Sequence, residues 1–105
     1  MGSMPTEYRE IGFSMSELAK ALHSHATTQN PELTLDPPSS IRINGKDELV
    51  VAIRFGDQEE DRFSALEVTA ALIRHAKAIG VPVARKARKA LATKNNMLIL
   101  KLWMG

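Results

Sequence analysis

The sequence contains no cysteine, which excludes disulfide bonds, thiolate metal sites and thiol nucleophiles. Aromatic residues make up 5% of the chain, with one tryptophan and one tyrosine. No apolar run approaches the roughly 20 residues that a membrane-spanning helix requires. The segment that starts at Pro5 is polar and acidic, unlike a secretory signal. We therefore expect a cytoplasmic protein without a membrane segment.

Signatures of catalysis are also missing. The chain has no Gly-x-Ser-x-Gly motif, no phosphate-binding loop and no dinucleotide-binding fingerprint. The acids between Asp57 and Asp61 do not have the spacing of a calcium-binding EF-hand loop. The sequence therefore predicts a protein that is not an enzyme and that has no cofactor, metal ion or small-molecule substrate.

The overall composition is that of one globular domain. The chain has 105 residues, of which 44% are hydrophobic and 25% are charged. Residues 1–4 read as a cloning remnant, expected to be disordered, ahead of a native start at Met4. Residues 5–105 are expected to form a single domain, because two separate halves of about 50 residues would each bury too little apolar surface.

Two stretches of the chain, 13–26 and 63–76, repeat each other without a gap at an offset of 50 and are identical at seven of fourteen positions. Each contains a Ser-x-x-Glu capping box, formed by Ser14 with Glu17 and by Ser64 with Glu67. An apolar stripe of helical spacing follows each box. The repeats therefore predict helices over 15–27 and 65–79, the second with Ile79 on its apolar face and Gly80 as its stop.

Each predicted helix precedes a predicted β-hairpin. The turns are Asn44-Gly45 and Asn95-Asn96, and the flanking strands are 41–43 with 49–56 and 89–92 with 97–105. The second strands of the two hairpins align at an offset of 49, and a short strand precedes each helix. The predicted fold is α+β: a tandem duplication of a (β)-α-β-β unit, about 7–56 and 61–105, joined by an acidic loop. We expect one antiparallel sheet with both helices packed on one face, related by a pseudo-twofold axis.

Charge is divided unevenly along the chain. Up to Glu67 there are six lysines and arginines against twelve acids, a net charge of −6; beyond Glu67 there are eight and no acid, a net charge of +8. Such asymmetry indicates either a charged partner or head-to-tail association. Alternatively, the two parts neutralise each other within the fold.

The densest basic segment, 85–89, occupies the place that a Pro-rich turn has in the first repeat. Binding to a partner is assigned to the basic side chains in and around it: Arg85, Lys86, Arg88, Lys89, Lys94 and Lys77. The sequence predicts a non-enzymatic interaction module that docks a protein partner or self-associates. The alternative is contact with the phosphate backbone of nucleic acid, although Trp103 is the only aromatic residue after Phe63 and offers no evident stacking platform.

The histidines at corresponding positions of the repeat, His25 and His75, allow two interpretations. A symmetric pair could bind a metal ion or respond to pH. The alternative is that both residues pack at the edge of the apolar helix face. Because no cysteine is available and structural zinc sites take four ligands, no metal site is predicted.

Overall fold

The computed structural model describes residues 7–31, 36–45 and 48–104 of the chain. The predicted disorder of residues 1–4 concerns residues outside these ranges. The described elements run in the order β1 (Glu7–Ser14), α1 (Met15–Gln29), β2 (Pro38–Gly45), β3 (Leu49–Phe55), β4 (Asp61–Ser64), α2 (Ala65–Ala78), β5 (Arg88–Lys94) and β6 (Met97–Met104). This order of two helices among antiparallel strands confirms the predicted α+β class.

Both helices begin where the capping boxes predict. The Ser14 hydroxyl accepts a hydrogen bond from the Glu17 N–H at 3.1 Å, and the Glu17 carboxylate accepts one from the Ser14 N–H at 3.2 Å. Ser64 and Glu67 form the same pair of bonds at 3.3 and 3.4 Å. Each box satisfies backbone N–H groups that have no partner within the helix.

Loss of either N-cap is expected to destabilise the fold. Ser14→Ala and Ser64→Ala should each lower the free energy of unfolding by about 0.5–2 kcal/mol, because the third N–H of the helix loses its acceptor. Urea unfolding followed by circular dichroism measures the change. Ser16→Ala is the matched control, since Ser16 is an exposed serine in the first turn of α1. Equal effects at Ser16 and Ser14 would contradict the capping role.

The C-terminus of α2 is capped by Gly80 and Val81. Gly80 adopts a φ of +82°, in the left-handed region that glycine favours. The Val81 N–H donates to the Ala76 carbonyl at 2.8 Å and the Gly80 N–H donates to the Lys77 carbonyl at 3.2 Å, which together form a Schellman motif. Arg9 of β1 then donates to the Pro82 carbonyl at 3.1 Å. The segment after α2 is therefore tied to both the helix and the sheet.

The strands form two three-stranded antiparallel sheets, in the orders β1-β6-β5 and β2-β3-β4. The prediction of a single sheet was wrong on this point. Each sheet combines a hairpin from one half of the chain with the leading strand of the other half: β1 pairs with β6, and β4 pairs with β3. The error arose because β1 and β6 are far apart in the sequence. Local sequence patterns do not indicate which distant strand a given strand will pair with.

Strand register corrects the predicted alignment of the two halves. The N-cap residues Ser14 and Ser64 lie opposite Met97 and Val50 respectively. Because Ser14 and Ser64 are corresponding residues of the two repeats, their partners Met97 and Val50 correspond as well. The offset between these two partners is 47 residues, whereas the sequence predicted 49. A shift of two residues keeps each side chain on its face of the sheet, so the apolar pattern could not distinguish the two alignments. Hairpin lengths differ as well, because Gly45 pairs with Leu49 whereas Lys94 pairs with Met97.

The helices and both sheets enclose one hydrophobic core. α1 contacts β1, β2 and β6, α2 contacts β3, β4 and β5, and the helices contact each other. The largest fully buried side chains come from both halves: Phe13, Phe55, Leu18, Leu22, Ile53, Leu72, Leu98, Leu100, Val51 and Val68. Ile79, which the sequence placed on the apolar face of α2, is 54% exposed, because the helix ends at Ala78 and Ile79 forms its C-cap.

Candidate functional site

A basic cleft lies between α2 and the segment that leads into β5. Its volume is about 610 Å³, and its lining includes four cationic side chains: Arg74, Lys77, Arg85 and Lys89. Arg74 and Lys77 are three residues apart and therefore project from the same side of α2. Ile73 and Val83 supply apolar lining. The cleft therefore combines positive charge with a partly apolar surface.

The segment before β5, which lines the cleft opposite α2, is stabilised by hydrogen bonds to its own backbone carbonyls. The Lys89 ammonium donates to the Arg85 carbonyl at 3.0 Å and to the Ala87 carbonyl at 2.8 Å. The Ala87 N–H closes a turn by donating to the Ala84 carbonyl at 3.2 Å, and the Ala87 side chain is buried. Lys89 thus stabilises the turn, while Arg74, Lys77 and Arg85 are exposed toward solvent.

The described residues show little internal neutralisation of the charge asymmetry. Among them, Arg42 forms an ion pair with Glu60 at 2.9 Å, and the His75 Nε2 atom lies 3.9 Å from a Glu17 carboxylate oxygen. Neither pair includes any of the eight lysines and arginines beyond Glu67. Within the described ranges, the positive charge of the second half of the chain is therefore available to an external anion.

The structure separates the predicted binding residues into different surroundings. Lys77, Arg85 and Lys89 meet in the basic cleft, joined by Arg74, which the sequence analysis did not select. The three-residue spacing of Arg74 and Lys77 on a predicted helix was the signal that could have identified it. Lys86 lies on the exposed turn between α2 and β5, and Lys94 lies at the end of β5, beside the hairpin turn.

Arg88 lies on the opposite side of β5 from Lys89, because successive strand residues alternate between faces. Its guanidinium carbon lies 6.0 Å from the centre of the Trp103 ring. The Tyr8 ring also lies beside Trp103, with ring centroids 5.3 Å apart and ring planes tilted by 40°. No sequence pattern indicates this cluster, because Tyr8 and Trp103 are brought together only by the pairing of β1 with β6.

Tyr8 is expected to ionise above its ordinary pKa of 10.0. Its hydroxyl donates a hydrogen bond to the Glu10 carboxylate, and this bond is the largest cause of the raised pKa of Tyr8. Desolvation and the negative charge of Glu10 raise the pKa further. Because Tyr8 is the only tyrosine, its phenolate absorbance reports this one group. Glu10→Gln should lower the pKa of Tyr8, whereas the neighbouring control Glu7→Gln should change it little. Identical titration of the wild-type and Glu10→Gln proteins would contradict the assignment.

The two corresponding histidines occupy different environments. His25 is 7% exposed, its ring centre is 6.3 Å from that of Phe63, and neither of its ring nitrogens has a hydrogen-bond partner among the described residues. His75 is less buried; it lies 6.2 Å from Phe13 and near Glu17. Each histidine thus packs against the phenylalanine that precedes the other helix, which agrees with the packing interpretation.

Among residues 7–31, 36–45 and 48–104, no group of three or more histidine and acidic side chains is placed to hold a metal ion. None of the helices described is long and apolar enough to cross a membrane.

The sequence matches no known family model, and no curated protein or solved structure is significantly similar to it.

Proposed function

We propose that the protein is a non-enzymatic interaction module that docks an acidic protein segment in the basic cleft. The observation that carries the proposal is the convergence of four cationic side chains from α2 and the following segment on one cleft. None of the four forms an ion pair with an acid in the described parts of the chain. Complementary charge speeds encounter with an acidic partner and selects against basic ones.

A second copy of this chain is the acidic partner that the molecule itself offers. The connection between β3 and β4 contains Asp57, Glu59 and Glu60, followed by Asp61 at the start of β4. Asp57, Glu59 and Asp61 are exposed, whereas Glu60 pairs with Arg42. The acidic loop of one copy and the basic cleft of another are different surfaces, so their contact is head-to-tail.

Sedimentation at several protein and salt concentrations tests self-association. The expected result is association at low salt that weakens as salt screens the exposed charges. Lys77→Glu/Arg85→Glu should weaken it by roughly 5- to 150-fold, since several exposed charge pairs of modest energy are lost together. Lys89 is left unchanged because its ammonium holds backbone carbonyls. The control Lys20→Glu/Arg54→Glu changes net charge equally at exposed positions outside the cleft.

Mixing of complementary variants identifies the pair of surfaces. Asp57→Lys/Glu59→Lys should also weaken self-association, because the loop and the cleft then carry like charge. An equimolar mixture of this variant with Lys77→Glu/Arg85→Glu should associate again, since each loop now meets a cleft of opposite charge. Failure of the mixture to associate would contradict the head-to-tail contact.

A foreign acidic segment is tested with a fluorescently labelled poly-glutamate peptide as the probe. Anisotropy should rise on titration with the wild-type protein and with the Lys20→Glu/Arg54→Glu control, and should rise far less with Lys77→Glu/Arg85→Glu. If the wild-type protein is monomeric at every salt concentration and also fails to bind the peptide at low salt, the proposed function is wrong.

A further inference from the structure

The β1-β6-β5 sheet has one face that does not contribute to the core. Leu98, Leu100 and Leu102 of β6 are buried, so the alternating residues between them lie on the other face of the sheet. We call this the Trp103 face. It includes the following β6 residues and cross-strand neighbours from β1 and β5: Met97, Ile99, Lys101, Trp103, Tyr8, Glu10, Gly12, Arg88, Ala90, Ala92 and Lys94.

Cross-strand register arranges this face in rows. Tyr8, Trp103 and Arg88 lie opposite one another in the first row, and ring and guanidinium contacts connect them. Lys101 lies in the next row. Farther along the sheet, a Cβ at Gly12 would lie only 2.9 Å from the Met97 methyl group. The Met97 side chain therefore lies over Gly12, where β1 has no side chain of its own.

The distribution of aromatic residues distinguishes this face from the rest of the molecule. All three phenylalanines, Phe13, Phe55 and Phe63, are buried in the core. The single tyrosine and the single tryptophan both lie on the Trp103 face, where Tyr8 is 46% exposed. Three cations share the face with one acid, Glu10, whose carboxylate accepts the Tyr8 hydroxyl. The surface is therefore aromatic and positively charged.

We infer that the Trp103 face binds single-stranded nucleic acid, with a base stacked on Trp103 and phosphates beside Arg88 and Lys101. This site goes beyond the proposed function, because it lies on the opposite side of β5 from the basic cleft. Accessible aromatic rings next to basic side chains are what proteins use to bind single strands without sequence preference, and on this face Tyr8 is exposed and Trp103 is half-buried. A duplex offers no free base face to such rings.

Charge also argues against a second copy as the occupant of this face. In a symmetric sheet-to-sheet dimer, the three cations of each copy would be buried against a face that offers only one acid, Glu10. Burial of cations without anionic partners is strongly unfavourable. A phosphate backbone instead supplies the anions that these cations lack.

Trp103 is itself the reporter for the test, since it is the only tryptophan. We expect its fluorescence to be quenched on titration with mixed-sequence single-stranded DNA at low salt. The same strand annealed to its complement should quench far less, and an abasic strand of equal length should bind more weakly because it offers charge without bases. Lys77→Glu/Arg85→Glu, altered in the basic cleft, should retain the quenching.

Variants of the face give the size of the effect, measured by anisotropy of dye-labelled DNA. Trp103→Ala should weaken binding by roughly 5- to 150-fold, the range for loss of one stacked base, whereas Trp103→Phe should retain most of the affinity. Arg88→Gln and Lys101→Gln should each reduce the slope of log affinity against log salt by about 0.7. Circular dichroism confirms that each variant is folded, and Lys101→Gln tests the site without altering a side chain that contacts the Trp103 ring.

Several outcomes would overturn the inference. The first is no quenching by any strand at low salt, and the second is equal binding of the abasic and the normal strands. The third is loss of DNA binding in Lys77→Glu/Arg85→Glu with normal binding in Trp103→Ala, which would place the nucleic acid in the basic cleft. The fourth is Trp103 emission that depends on protein concentration without DNA, which would show that a second copy covers the face.

Discussion

Replacement of Phe13 by alanine is expected to lower the free energy of unfolding by about 3–5 kcal/mol, the range for truncation of a buried phenylalanine. Phe13 is 1% exposed and lies in β1 opposite Leu98 of β6. Its ring also packs near His75 of α2. One side chain therefore joins the first strand to a helix and a hairpin of the other half. Because small domains are stable by only about 5–15 kcal/mol, this loss is a large part of the total.

Denaturant unfolding measures this loss, and the chain provides a matched control. Leu66→Ala removes a large apolar side chain that is 82% exposed on α2, so it should change stability by no more than about 0.5 kcal/mol. Phe13→Leu should lie between the two, since it keeps much of the buried volume. Similar values for Phe13→Ala and Leu66→Ala would show that Phe13 is not part of the core.

Separation of the chain between Gln58 and Glu59 is expected to unfold both fragments. Residues 1–58 contain β1 without its partner β6, and residues 59–105 contain β4 without its partner β3. Each fragment would expose the apolar side chains that the other half buries in the shared core. We expect circular dichroism to show little stable structure for either fragment alone and recovery of the folded spectrum when equal amounts are mixed.

Sedimentation of the mixture should show a complex with one copy of each fragment. The control is the full chain with a Gly-Ser insertion at the same position, which should stay folded because doubling a loop costs only about 0.6 kcal/mol. A fragment that unfolds cooperatively as a monomer on its own would contradict the dependence of each half on the other.

Local structure was largely predictable from the sequence. The capping boxes placed the starts of α1 and α2 at the correct residues, because side chains within four positions determine a helix start. Asn95 and Asn96 were identified as a tight turn, and both have positive φ angles of 51° and 59°. The predicted strand over 97–105 corresponds to β6, which is the central strand of its sheet.

The arrangement of these elements was not predictable to the same degree. Whether β1 joins β3 or β6 depends on the whole set of core contacts, and either pairing satisfies the same alternation of buried and exposed residues. The residues of the candidate sites were also predictable only in part. Lys77, Arg85 and Lys89 were chosen by charge alone, whereas Arg74 and the Tyr8–Trp103 cluster required knowledge of which elements lie side by side.

The pairing of β1 with β6 also determines how the molecule responds to mechanical force. Glu7 lies opposite Met104 at one end of this pair, and Ser14 lies opposite Met97 at the other. Tension applied between residues 7 and 104 therefore acts along the hydrogen bonds, which run perpendicular to the strands in an antiparallel pair. The rows open one after another from the terminal end, as in a zipper. The fold should accordingly yield at low force by release of β1, while the β5–β6 hairpin is still intact.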